Sequence, residues 1–314
     1  MSLPEAPRFV LTVSSNKGGV GKTTLSANLA IYLRALREEL PILLVGLDDQ
    51  GSLDRMFSIQ PREPGAKNLK HGWAERSLAG VIQLGEYGIH FVPSPPDVAL
   101  LKARAEDPHI LRAILARTAW PGVVILDTKS DLEALTLNAF HAADRILVPV
   151  ADWASLEEAG KTFRTLENAR LDLERARVVL TLVDRRTRGG EEGLPLAHLL
   201  QDEIERRGWP LYATALSRSP RVEALNSASG RPLSILHQAR GTAVHRELRE
   251  LAEEILGDLG LGERLPLPPR GGGAGWSEAP EADAGEEGAE LGAETTPARR
   301  SWAAELLGGV LRRL

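Results

Sequence analysis

Nine consecutive residues concentrate the chemistry of this chain: Asn16-Lys17-Gly18-Gly19-Val20-Gly21-Lys22-Thr23-Thr24. Successive backbone N–H groups in such a run, feeding a helix N-terminus, point at phosphate oxygens, and glycines let the backbone come close. Lys22 is placed to neutralise the β- and γ-phosphates of a nucleoside triphosphate, and the Thr23 hydroxyl to ligate Mg²⁺. Gly18, Gly19, Val20, Gly21 and Thr24 complete the candidate binding loop. Asp127 is the second candidate, ending the apolar run Val123-Val124-Ile125-Leu126. An acid at the end of such a strand holds Mg²⁺, usually through water. The chain has no cysteine, so thiolate zinc sites, iron–sulfur clusters, disulfides and cysteine nucleophiles are excluded. Its seven histidines show no ligand spacing and read as surface or packing residues.

A phosphate loop works only where a strand hands over to a helix. Residues 8–14 are a short apolar, β-branched run, and 23–36 carry leucines and isoleucine at helical spacing. Further strands are expected at 41–45, 89–93, 123–127, 146–150 and 178–183, with a short last one at 211–215. Helical patterns occupy 133–142, 155–174 and 245–256. Strands that are apolar without interruption have both faces covered. The expected fold is therefore α/β: a mainly parallel twisted sheet with helices on both faces and ligands at the carboxyl ends of the strands.

The chain has 314 residues and a net charge of −5. Residues 1–258 hold 32 Lys and Arg against 34 Asp and Glu, while 265–298 hold one Arg and seven acids. The acid sits in the tail, so a local basic patch on the body stays open. Residues 1–258 read as one nucleotide-binding domain, and 259–298 as a disordered Gly/Pro/Glu-rich linker reaching about 35 Å. Residues 299–314 read as a short amphipathic segment whose Trp302, Leu306, Val310 and Leu314 share one helical face between arginines. No apolar run approaches the roughly 18 residues of a membrane span, and the N-terminus does not resemble an export signal. A cytoplasmic protein is expected.

The loop departs from the general G-x-x-x-x-G-K-[ST] pattern in two ways: Asn16 replaces the first glycine, and a second lysine, Lys17, follows. In this it resembles the ParA/MinD family of deviant Walker A P-loop ATPases, nearest to its Soj-like partition members. The likeness spans residues 8–256. It implies ATP and Mg²⁺ as ligands, and a homodimer with two nucleotides sandwiched, in which Lys17 reaches the partner's ATP. Leu43-Leu44-Val45-Gly46-Leu47-Asp48-Asp49-Gln50-Gly51-Ser52 is similar to the family segment L-L-V-D-x-D-P-Q-G-N. Asp48 falls on the acid that positions the attacking water, while Gly46, Asp49 and Ser52 are departures. After Asp127 the family reads C-P-P-S, whereas this chain has Thr128-Lys129-Ser130-Asp131.

By the same resemblance Asp184 is a base-contact candidate. Arg218 and Arg221 fall in a segment that lines the DNA-binding face of Soj-like dimers, and Arg185, Arg186 and Arg188 are candidates to extend that patch. No helix-turn-helix precedes the loop, so DNA binding is expected through phosphates, without sequence preference and with strong salt dependence. The implied activity is a weak intrinsic ATPase, nucleoid-associated, stimulated by a ParB-like partner and moving a chromosome, plasmid or other cargo. A second reading is a MinD- or FlhG-like spatial regulator docked on membrane through 301–314, where protein docking or no role are the other options for that segment. A third, prompted by Gly46, Asp49 and Lys129, is a nucleotide-binding scaffold that scarcely hydrolyses ATP.

Overall fold

The computed structural model describes residues 9–48, 51–59, 65–184, 187–189, 194–228 and 234–261. In chain order the elements are β1 (Phe9–Val13), α1 (Lys22–Leu36), β2 (Ile42–Gly46), α2 (Ser52–Phe57), α3 (Leu69–Glu75), β3 (Gln83–Leu84), β4 (His90–Val92), α4 (Ala99–Lys102) and α5 (Ile110–Thr118). They continue with β5 (Val123–Asp127), α6 (Ala134–Ala142), β6 (Arg145–Val150), α7 (Trp153–Asn168), β7 (Ala176–Leu180), β8 (Arg188–Gly189) and β9 (Leu194–Pro195). The last four are α8 (Leu196–Arg206), α9 (Pro220–Ala228), α10 (Ile235–Gln238) and α11 (Ala243–Asp258).

Seven strands form one sheet in the order β3-β4-β2-β5-β1-β6-β7, parallel throughout except for the edge pair β3–β4. Alternate residues of the central strands serve two cores. Leu11, Val13, Leu44 and Ile125 pack under α1 and α11, while Val10, Leu43, Val45 and Val124 pack under α3, α5 and α6. A third cluster joins β6 and β7 to α7 and α8. From Leu25 to Leu33, α1 is buried at every position, because α10 and α11 cover its outer side. The expected α/β architecture is therefore the observed one.

The register sets the site. Val13 of β1 and Gly46 of β2 both pair with Asp127 of β5, so three adjacent strands end level with one another. The order also runs β2-β5-β1, with β1 and β2 on either side of β5. The chain that leaves β1 through α1 must therefore cross over β5 before it returns as β2.

Three departures from expectation have a visible physical cause. The expected strand 178–183 ends at Leu180, because Leu182 has φ 53°, outside the extended region. The helix expected over 155–174 runs from Trp153 to Asn168 and stops where Arg170 takes φ 56°. Residues 211–215 meet β7 through one isolated bridge, Leu211 to Val178, instead of a full strand, since the N–H groups of Ala213 and Thr214 donate to Glu254 at 2.9 Å each. At the far end Leu259 is buried, and the Leu261 N–H donates to Leu256 O at 2.7 Å, closing α11. The rest of the expected linker and the amphipathic segment lie outside the described residues.

Candidate functional site

The loop after β1 owes its path to two glycines. Gly19 and Gly21 have φ 79° and 84°, and nothing stands within 4 Å of a Cβ added at either, so the backbone angle and not crowding selects glycine. Gly21 is the N-cap of α1 and offers no side-chain cap, leaving the first N–H groups of that helix to an incoming anion. Val20 is buried, and its carbonyl accepts from Thr181 Oγ1 at 3.0 Å, which fastens the loop to the end of β7. Gly18 packs near Ser130, whose Oγ lies 3.9 Å from a Cβ added there. Thr23 and Thr24 follow Lys22 in the first turn of α1.

Lys22 is 8% exposed, and its Nζ donates to Lys17 O at 3.0 Å and to Ser130 Oγ at 2.6 Å. Burial pushes its pKa down, while the charges of Asp127, Asp48 and Asp131 pull the other way. An ammonium has three N–H donors, so one remains for a phosphate oxygen.

Asp127 is 2% exposed at the end of β5. Burial pushes its carboxyl up to about 6, against hydrogen bonds from Thr23 and Ser26 and the charge of Lys22, with Asp48 raising it further. The Ser26 hydroxyl lies 2.8 Å from Asp127 Oδ1, one helical turn beyond Lys22. A buried carboxylate beside two hydroxyls is an all-oxygen, hard donor set, which fits Mg²⁺. Asp48 follows β2, where Leu47 N–H donates to Asp127 O at 2.9 Å, and its charge is felt by both Lys22 and Asp127. Lys22, Asp48 and Asp127 thus share one electrostatic neighbourhood, which the Lys17 carbonyl joins through Lys22 Nζ. Gly46 has a steric reason: a Cβ there would stand 3.2 Å from both Leu53 Cδ1 and Ser94 Oγ.

Lys17 makes a two-pronged ion pair with Asp152, at 2.8 and 2.7 Å from its carboxylate oxygens. Asp152 is also the N-cap of α7, accepting from Ser155 N at 2.8 Å. Burial works against the charge on Asp152, yet the hydrogen bonds from Lys17 and Ser155 hold its carboxyl below the ordinary value. Beside it, Asn16 Nδ2 donates to Glu158 of α7. Asp152, Glu158, Ser130, Ser26 and Thr181 were not among the expected site residues. Only Asp152 left a local signal, the Asp-x-x-Ser capping box at the start of a helix.

A second group lies past β7. Asp184 is exposed, and its charge reaches Arg218, across the Val183–Ser217 bridge. Arg218 pairs with Glu223 at 2.7 Å, Arg221 is exposed on α9, and Arg188 is exposed on β8. Arg185 and Arg186 lie outside the described residues. Among the described residues no cluster of three or more His, Cys, Asp or Glu forms a metal cage, and no helix is long and apolar enough to cross a membrane.

Comparison with known proteins agrees with this geometry. A family model described as an AAA domain matches residues 9–175. The chromosome-partitioning ATPase Soj of Thermus thermophilus is 32% identical over 257 residues, covering 78% of this chain and 94% of that one. The chromosome partitioning protein ParA of Caulobacter vibrioides is 28% identical over 266 residues, covering 80% and 94%. The septum site-determining protein MinD of Pyrococcus horikoshii, solved in complex with Mg-ADP, aligns with a TM-score of 0.64 at 19% identity over 82% of this chain and 100% of its own. The loop with its two lysines, the strand order around it and these similarities place the chain in the ParA/MinD family of P-loop ATPases.

Proposed function

We propose that this chain is a Soj-like partition ATPase, converting ATP and water to ADP and phosphate to drive a cycle between monomer and dimer. One observation carries the reading: Lys22 lies within reach of the charges of Asp48 and Asp127 and donates to the Lys17 carbonyl, while the Lys17 ammonium is held apart by Asp152. The backbone of residues 18–24 and Lys22 bind the phosphates, and Thr23 with Asp127 hold Mg²⁺, Asp127 through water. The metal, when bound, neutralises charge on the phosphate oxygens. Asp48 orients the attacking water, and Asp184 contacts the base.

Lys17 makes the cycle conditional. In the single subunit its ammonium is paired at home with Asp152, on a half-exposed rim. Such a pair is weak in water and is readily exchanged for a phosphate. Lys17 then serves the nucleotide of a second copy, and the ATP-bound dimer is the active state of a population switch. Arg218 and Arg221 of both subunits hold DNA by its phosphates, a ParB-like partner stimulates hydrolysis, and the protein works in the cytoplasm on the nucleoid. The support is the 32% identity to Soj and the resemblance of the loop to the family pattern. The Mg-ADP complex of the MinD neighbour supports the ligand assignment.

Light scattering with ATP tests the cycle. Wild type is expected to dimerise. Lys17→Ala is expected to bind ATP and stay monomeric, and Lys22→Ala to bind none. A Lys17→Ala protein that still dimerises overturns the cross-subunit role. Liposome pelleting of the full chain and of a chain ending at residue 298 tests the membrane-docked alternative. ATP-dependent pelleting without DNA retention would replace the partition reading.

A further inference from the structure

The loop 128–131, between β5 and α6, contains neither proline nor glycine, yet it is fixed from three sides. Thr128 Oγ1 donates to Val13 O at 3.0 Å, tying its start to β1. Asp131 Oδ1 accepts from Glu133 N at 3.2 Å and from Thr136 Oγ1 at 3.1 Å, tying its end to α6. The third tie comes from outside the phosphate cluster. Lys102, the last residue of α4, places its Nζ 3.4 Å from Asp131 Oδ2 and also donates to Glu133. Both partners stabilise the charged ammonium, Glu133 foremost, and its pKa is raised accordingly.

What this loop delivers is the Ser130 hydroxyl. Its Oγ accepts from Lys22 Nζ at 2.6 Å, which leaves its own proton free to be donated to a phosphate oxygen. The segment leading to α4 is anchored as well, because Ser94 N–H donates to both carboxylate oxygens of Asp54, at 3.0 and 3.1 Å. Asp54 lies on α2, the helix that follows Asp48. Residues 94–102 therefore strap the segment after β2 to the loop after β5.

We propose that Lys102 is a positioning residue of the phosphate site: through Asp131 it holds loop 128–131 so that the Ser130 hydroxyl stays on Lys22 and faces the terminal phosphate. This rests on the ATPase reading above. Ion pairs this open to solvent contribute little to stability. The consequence of losing Lys102 therefore belongs in turnover, where a small displacement of a reacting-site group is costly.

Steady-state ATP hydrolysis by the full chain, with titration of a fluorescent ATP analogue, tests it. Lys102→Ala is expected to lower kcat on the order of tenfold while leaving nucleotide affinity within about twofold. Lys102→Arg should restore kcat. Ser130→Ala should reproduce the loss, and the double variant should be no slower than Ser130→Ala alone, because one residue acts through the other. An unchanged kcat in Lys102→Ala, losses that multiply in the double variant, or a loss that tracks a fall in Tm overturns the proposal. Wild-type protein that neither binds nor hydrolyses ATP overturns the underlying reading instead.

Discussion

Lys22 and Asp127 are opposite charges that burial penalises and that each other's field sustains. For Asp127 the field of Lys22 falls short of offsetting burial, so its carboxyl stays raised. With its folded pKa near 6 against an unfolded value of about 3.9, Asp127 takes up a proton more readily in the fold than in the open chain. Its protonated form favours folding below about pH 4, and that advantage disappears as pH rises through 6. At pH 7.5 without Mg²⁺, Asp127→Asn should raise Tm, and added Mg²⁺ with nucleotide should stabilise wild type but hardly the variant. Thermal scans with and without the metal read this directly, and a Tm drop of the apo variant would count against a destabilising charge. Asp48 sits in the same field but is less buried. Asp48→Ala should keep ATP affinity within about threefold, unlike Lys22→Ala, and reduce phosphate release at least about tenfold.

At the scale of elements, α11 holds an irregular segment in place with its acids. Glu247 accepts from Ser217 N and Oγ at 2.6 Å each, Glu254 from the N–H groups of Ala213 and Thr214, and Asp258 from Tyr212 OH at 2.8 Å. Glu254→Ala should cost about 1–3 kcal/mol by leaving two backbone donors without their acceptor. Hydrogen exchange at residues 213 and 214 should accelerate well ahead of β6. Equal protection in the variant would mean water replaces the carboxylate without loss. This segment also shows where sequence reading stops. β1, β2, β5 and β6 are legible because each is an apolar run buried on both faces, and periodicity alone reports that. Residues 211–215 carry the same kind of pattern, but some of their donors are taken by side chains about 40 residues later in the chain, which no local pattern contains. The two-residue strands β3, β8 and β9 are too short to show any alternation.

Over the whole molecule the same division holds for the site. The phosphate loop is contiguous, so its spacing could be read directly, and Asp127 was visible as the end of an apolar strand. The partners Asp152, 135 positions from Lys17, and Ser130, 108 from Lys22, meet them only because β1 lies between β5 and β6. The proposed DNA-binding patch is the least local property of all, since a chain that carries 32 cationic and 34 acidic residues in its first 258 has no net attraction for DNA. Attraction must come from arrangement, and here Arg218 is partly neutralised by Glu223, 2.7 Å away, with the charge of Asp184 also within reach. Under the proposed function, Glu223→Gln should therefore tighten DNA binding by the proposed ATP-bound dimer, and Arg218→Ala with Arg221→Ala should weaken it without slowing intrinsic hydrolysis. Each phosphate contact contributes about 0.9 to the slope of log K against log salt, so the double variant should flatten that slope by about 1.8 for each subunit engaged. Filter binding between about 50 and 200 mM salt measures it. A weaker affinity with an unchanged slope would mean that these arginines shape the surface without touching phosphate, and the nucleic-acid face would then have to be sought elsewhere on the dimer.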